Sequence, residues 1–428
     1  MTTLASTHGK VPTIDEIITT VIMARVSDYF GFFVYGIASA IVFPRLFFPM
    51  FDPVTGTMLS FAVFSLAFLA RPFASFASRW VQRRIGRGGK IALALMIFGT
   101  STVAIGLLPG YAEIGWTAPI LLALLRIAQG LGLGGAWDGI TLQLLNAAPK
   151  NRKGIYATIP QLGGPVGFCV AASLFFVLVG FLTPEEFYSF GWRFAFFAVM
   201  AVNVVSLFAR LRLLSTELKD ETKTDLMRSS PLREMLAHEW KSILKATFIP
   251  IASYALFHMV TIFPLAYELL YTENSIAYVL ILQLIGASIA ICTMIVSGIM
   301  ADRYGRRRVL LISTVLIALL CFTIQTLNDN PGVFIIAGFA LLGFAHGQSG
   351  AMNSGRFAEE YRYSASAMST NLAWIFGAAF APLTGLLLTA QFGLWAASLY
   401  MLSGIIVTLV AIYLFDAPKS SGEVAGPA

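Results

Sequence analysis

The stretch GIMADRYGRRRVLL, Gly298 to Leu311, sets one acid and four arginines between two long apolar runs. Residues 79–93, RWVQRRIGRGGKIAL, carry a similar arginine and glycine cluster in a similar setting. Across the chain 57% of residues are hydrophobic and 12% are charged, whereas soluble domains average about 25% charged. Charges this scarce, bunched between apolar runs, belong to an integral membrane protein.

Working outward, apolar runs of about 20 residues, each long enough to span a bilayer as a helix, recur through all 428 residues. Twelve fit, near 20–44, 57–78, 90–109, 118–146, 155–181, 191–212, 245–268, 277–300, 309–327, 332–354, 366–390 and 394–415. Transmembrane barrel strands alternate apolar and polar over about ten residues, and these continuous runs do not. The expected fold is therefore an all-α membrane protein. The opening MTTLASTHGKVPTIDE is polar and ends in acids, unlike the positive start of a cleavable signal, so the first run is expected to be retained.

Orientation follows from the cations, which collect on the cytoplasmic side of short loops. The even loops carry Arg79, Arg83, Arg84, Arg87 and Lys90; Lys150, Arg152 and Lys153; and Arg303, Arg306, Arg307 and Arg308, against only Arg45 and Arg193 in the odd loops. Both termini are then expected in the cytoplasm, in a multi-pass protein of a plasma membrane of the bacterial inner-membrane kind. This asymmetry accounts for the net charge of +7, and no nucleic-acid partner is needed to explain it.

The only long polar interval, Thr216 to Lys245, has mixed charge and a Pro231 placed to start a surface helix. It divides the chain into a segment 1–19, a six-helix bundle 20–213, a linker 214–244, a second bundle 245–415 and a tail 416–428. Gly86 and Gly305 stand 219 positions apart, and Gln129-Gly130 finds His346-Gly347 a further 217 on. Such a duplication predicts two pseudo-symmetric six-helix bundles with a substrate site near the midplane between them.

These features resemble the major facilitator superfamily. Its loop signature, Gly-x-x-x-Asp-Arg-x-Gly-Arg-Arg, is matched by Gly298, Asp302, Arg303, Gly305, Arg306 and Arg307. More narrowly, SDYFGFFVYG, ARPF, RIAQGLGLGGAW, PQLGGPVG and GWRFAFF are similar to the metabolite:proton symporters, which carry organic acids and zwitterionic osmolytes. There are departures. Arg79 and Arg83 stand where the family places Gly and Asp, Gly31 replaces a second acid in the first run, and Ala136 replaces one in the fourth, with Asp138 two positions on. Two positions turn about 200° around a helix, so Asp138 faces elsewhere.

The cluster around Asp302 suits a conformational latch, because a carboxylate there can accept from neighbouring arginines and from a facing helix N-terminus. Arg83, Arg84, Gly86 and Arg87 form its altered counterpart. The bland reading makes these arginines topology signals only. Within the membrane, each ionisable residue is a candidate functional group. Arg126, in the Arg-x-x-Gln-Gly element with Gln129, is expected to attract a substrate carboxylate, with Asp28 as its partner and proton carrier and Asp138 as a further coupling residue. The bland readings are a permanent Arg126 ion pair and a wet, structural Asp28 beside Arg25. Tyr29, Tyr35, Gln161, Tyr254, His258, Gln283, His346, Asn371 and Trp374 complete the candidate cavity, though any of them can instead join two helices or, for His, pack in the core.

Other patterns carry no chemistry. GLGLGG, Gly130 to Gly135, follows no strand and suits close helix packing rather than a dinucleotide. Cys169, Cys292 and Cys321 lack metal or disulfide spacing. No nucleophile set or phosphate loop indicates an enzyme, and no cofactor or metal is expected. The expected function is secondary active transport, a proton-coupled uptake of a small organic acid or related polar metabolite by a monomer working through alternating access. The alternatives are a proton-driven exporter of drugs or metabolites, which the missing acids and the Gly163-Gly164-Pro165 run would suit, and a non-transporting membrane sensor.

Overall fold

A computed structural model describes residues 14–136, 142, 144–145, 148–149, 151–217, 230–349 and 357–415. Among these, ten helices are long and apolar enough to cross a bilayer. One of them, Pro53–Leu107, is 55 residues long and is divided by Gly86 at φ 74°, so it supplies two spans. The shorter apolar helix Pro331–His346 completes twelve.

The spans are α1 (Ile14–Ile41), α2 and α3 (the arms of Pro53–Leu107 before and after Gly86), α4 (Thr117–Gly135), α5 (Lys153–Phe181) and α6 (Arg193–Glu217). After the polar interval come α7 (Ile251–Tyr271), α8 (Ile276–Tyr304), α9 (Arg306–Leu327), α10 (Pro331–His346), α11 (Arg362–Phe392) and α12 (Ser398–Phe415). All twelve runs thus become helices in the all-α fold expected. Their ends differ from the apolar boundaries. α1 already includes Ile14, ahead of the apolar run at 20, and α10 ends at His346.

The two arginine clusters are not loops. α8 ends at Tyr304 and α9 starts at Arg306, leaving Gly305 alone, at φ 83°, to turn the chain. Gly86 does the same between α2 and α3. A residue with a Cβ is strained at such a φ, so both copies need glycine. Apolar runs stop at the first charge, but arginine is a good helix former, so the helices continue to the membrane face.

The seventh run also needs correction. Leu232–Phe248 is a separate helix directly after Pro231, and α7 begins only at Ile251, past Pro250. This connecting helix docks on α11. The Ser230 amide donates to Ser364 Oγ (2.8 Å), the Ser230 hydroxyl to the Glu360 carbonyl (2.7 Å), and the Ala358 amide to Glu239 Oε1 (2.8 Å). Met235, Ile243 and Ala246 pack with Tyr361, Ala365 and Met368 behind these bonds.

Prolines break α7 and α11 where the two halves meet. Pro264 has no N–H to offer the Val260 carbonyl. The Gln283 amide takes that carbonyl at 3.2 Å and that of Thr261 at 3.0 Å, next to the break at Ile262. In α11 a wide turn over Ile375–Ala379 leaves carbonyls that accept from Tyr400 Oη (Gly377, 3.1 Å) and Ser65 Oγ (Ala379, 2.7 Å). The Ser65 bond joins α2 to α11, one half to the other.

Candidate functional site

A cavity of about 100 Å³ lies between the halves. Its wall includes Arg25, Asp28, Tyr29 and Phe32 of α1, Arg71 of α2, Gln161 of α5, Tyr254 of α7, and Ser366, Thr370, Asn371 and Trp374 of α11. Small residues bring these helices close enough to share one space. A Cβ at Gly130 or Gly134 of α4 would collide with the backbone of Ala67 or Arg71, and one at Gly163 or Gly167 with α1 at Arg25 or Tyr29. The glycine stripes of α4 and α5 therefore set where Arg71, Arg25, Asp28 and Tyr29 stand.

Asp28 accepts from Arg210 Nη2 at 2.7 Å and faces Arg25 Nη1 at 3.7 Å. Its expected partner was Arg126, and the structure replaces that pairing. Arg210, 1% exposed, reaches Asp28 from α6 and also donates to the Ala24 carbonyl at 2.9 Å. Arg71 is different. It forms no ion pair with any described residue, its Nε is buried without a hydrogen-bond partner, and its guanidinium lies 5.7 Å from the centre of the Trp374 ring. Across the cavity the Asn371 amide donates to Ser75 Oγ at 2.9 Å, tying α11 to α2.

Of the residues expected at the site, Asp28, Tyr29, Gln161, Tyr254, Asn371 and Trp374 line this cavity. Arg126, Gln129, Tyr35, His258, Gln283 and His346 are absent from its wall, which corrects their expected placement. An aromatic layer intervenes. Phe32 packs on Phe68 (5.3 Å between ring centres), Phe68 on Trp374 (5.7 Å) and Trp374 on Phe257 (4.9 Å). Behind it Arg126, fully buried, sits 3.7 Å from the Tyr35 ring centre and donates to the Phe64 carbonyl (3.2 Å) and Gln129 Oε1 (3.0 Å). Gln129 in turn donates to Thr102 at 2.7 Å, so it holds Arg126 in place. His258 stacks on Phe32 with its Nδ1 3.1 Å from Thr261 Oγ1, and His346 meets Tyr254 and Phe257 edge-on. Gln283 serves the α7 break described above. Asp138 lies outside the described residues.

Arg71 and Arg210 were missed by the sequence reading. Both are charges inside apolar runs, and the rule that singled out Arg126 selects them equally. Gly31 faces Phe98 and Val199 rather than the cavity, so an acid at that position would be buried between helices.

The face carrying the arginine clusters holds the residues expected to form a latch. Asp302 Oδ1 accepts from the Gly154 amide at 2.5 Å and Oδ2 from the Ile155 amide at 3.1 Å, so the carboxylate caps the start of α5. Arg306 Nη2 donates to the Lys153 carbonyl at 3.1 Å, and Gly298 packs against Ile155 and Thr158. Arg303 and Arg307 make no ion pair with Asp302. The helix N-terminus, and not the neighbouring arginines, is its partner. In the other copy Arg83 is exposed and Arg84 lies 5.2 Å from the Trp80 ring centre. There Lys90, buried, donates to Tyr363 Oη of α11 at 2.9 Å.

Two family models match the chain, the Major Facilitator Superfamily over residues 247–427 and the Sugar (and other) transporter family over 17–216. The inner membrane metabolite transport protein YhjE of Escherichia coli is 35% identical over 94% of this chain and 93% of its own length. The shikimate transporter of Escherichia coli is 30% identical over 92% and 93%. A glycine betaine/proline/ectoine/pipecolic acid transporter of Dickeya dadantii is 27% identical over 96% and 85%. Among solved structures, a D-xylose-proton symporter superimposes with a TM-score of 0.71 at 16% identity, covering 97% of this chain and all of that one. With relatives of this identity along nearly its whole length, the chain belongs to the major facilitator superfamily and is a multi-pass membrane transporter.

Proposed function

We propose that this transporter takes up a small carboxylate-bearing metabolite together with a proton. One observation carries the reading: among the described residues, the cavity between the halves presents Arg71 with no acidic partner, while the one acid on its wall, Asp28, is bound to Arg210. A guanidinium left uncompensated there suits a planar, bidentate anion. Shikimate, proline and the betaines, which relatives of this chain carry by name, all bear a carboxylate.

Size supports the same class. About 100 Å³ holds roughly seven to ten water positions at about 10–15 Å³ each, enough for a small metabolite and too little for a bulky drug. Trp374 and Tyr29 would flank the ligand and Asn371 and Gln161 would orient it. Asp28 would exchange the proton, because a carboxylate held by two arginines is released when a substrate anion competes for one of them. Arg126 would receive the anion on the far side of the aromatic layer. The termini would lie in the cytoplasm.

The test is uptake into proteoliposomes under an imposed proton gradient, across small carboxylates, betaines and cationic dyes. Gradient-driven accumulation of a carboxylate, lost in Arg71→Ala, is expected. Proton-driven movement of dyes alone would establish the exporter, and binding without movement would establish a sensor.

A further inference from the structure

A second cavity, of about 280 Å³, lies at the basic face between α2, α11 and the connecting helix. Its wall includes Arg79, Arg233, Ser75, Ser78, Ser230 and Ser364, and no acid among the described residues. Neither arginine forms an ion pair with a described residue. Ser78, 8% exposed, lines the space.

The place of this cavity in the duplication gives it meaning. In the second half, Gly298 lets α8 approach α5, and Asp302 caps the first amides of that helix. The helix in the corresponding place of the other pair is α11, whose first turn, with Tyr363 and Ser364, borders the cavity. Where the family signature puts Gly and Asp, this chain has Arg79 and Arg83, so no carboxylate of α2 or α3 reaches α11. The space is lined instead by cations, serine hydroxyls and a helix N-terminus, all of which favour an anion.

We infer that this cavity binds a phosphate-type anion, which supplies from outside the negative charge that the first latch lacks and thereby holds the basic face closed. The anion is either free phosphate or the headgroup phosphate of an anionic lipid. Arg79 and Arg233 would clamp its oxygens, Ser78 and Ser364 would donate to them, and the α11 amides would face it as those of α5 face Asp302. Transport would then respond to a ligand that is not carried.

The test uses the full chain in nanodiscs of phosphatidylcholine, titrated with inorganic phosphate against chloride at constant ionic strength. Melting temperature and basic-face accessibility of a single introduced cysteine are read together. A saturable rise in the first and fall in the second is expected, with the half-saturating concentration raised at least about tenfold in Arg79→Gln/Arg233→Gln, a loss of about 1.4 kcal/mol. Arg79→Lys/Arg233→Lys should keep most of the response. Arg79→Gly/Arg83→Asp, which restores a built-in carboxylate, should be closed without phosphate and indifferent to it; this variant keeps the test decisive if the glutamine pair does not fold. A response to phosphatidylglycerol nanodiscs with none to free phosphate would assign the site to a lipid headgroup. No response to either, or one undiminished in the glutamine variant, overturns the inference.

Discussion

The Gly154 amide and the Asp302 carboxylate, 148 residues apart, meet at 2.5 Å and join the first half of the chain to the second. If it acts as a latch, this contact is broken when the two halves part at the basic face. A charge-assisted pair of bonds at a helix end couples conformations by about 1–3 kcal/mol. Asp302→Asn should therefore shift the population toward the state open at that face by roughly five- to 150-fold. Labelling of a basic-face cysteine in a background free of Cys169, Cys292 and Cys321 measures it, and equal labelling in variant and parent would reduce the cluster to a topology signal.

Lys90 and Tyr363 link the two halves at the same face on the other side. Tyr363→Phe removes the 2.9 Å bond while leaving the ring in place. A hydrogen bond to a charged group contributes about 1.5–3 kcal/mol, so labelling should rise about tenfold or more, independently of Asp302. The double variant Asp302→Asn/Tyr363→Phe should be close to additive, because the two contacts share no partner.

In the cavity, Arg71→Lys should be almost as impaired as Arg71→Ala, since an ammonium cannot reproduce the two-pronged geometry. A loss of about ten- to a hundredfold in apparent carboxylate affinity is expected from the charged hydrogen bonds removed. The melting temperature should barely move, because Arg71 has no ion pair with a described residue to lose. Arg126→Ala should in addition lower stability, as it empties a fully buried space beside Tyr35 and Phe64. Normal uptake by Arg71→Ala would remove it from the substrate site.

Asp28→Asn should abolish gradient-driven accumulation while exchange of substrate continues. It also removes the carboxylate charge facing Arg210, which is 1% exposed, and breaking a buried pair from one side costs about 3–5 kcal/mol. Asp28→Asn/Arg210→Gln should regain much of that stability without regaining coupling. Recovery of both together would make the pair structural rather than a proton site.

Gln283 answers the carbonyls freed by Pro264. Gln283→Leu should leave them unpaired in the core at a cost of about 1–3 kcal/mol, read as a lowered melting temperature. Pro264→Ala should soften that loss by restoring an amide to the Val260 carbonyl.

What the sequence made legible follows the reach of each signal. Apolar length is local, so all twelve spans could be read from it. A helix N-terminus as the partner of Asp302 was legible too, because a carboxylate at a membrane face needs a donor and helix starts provide one. Side-chain addresses were not. Asp28 and Arg210 are paired across 182 positions, and nothing in either neighbourhood says so. Arg126 and Arg71 look alike as charges within apolar runs, and only the packing of Phe32, Phe68 and Trp374 places one behind the aromatic layer and the other before it. The starts of α7 and α9 were misjudged because hydropathy ends where charge begins, whereas helices end where the backbone turns.

Gly86 and Gly305 each make the whole connection between two membrane helices. A joint of one residue has two torsions and no slack. α2 with α3, and α8 with α9, are thus V-shaped brackets whose tips lie at the basic face, and tilting one arm must displace the other. The cap on α5 is mounted near such a tip, at Asp302. If Arg71 binds substrate as proposed, drawing α2 inward would pull directly on its bracket and give the cavity a lever on that face without any change inside a helix. Lengthening either joint by a few glycines would leave both sites intact and uncouple them.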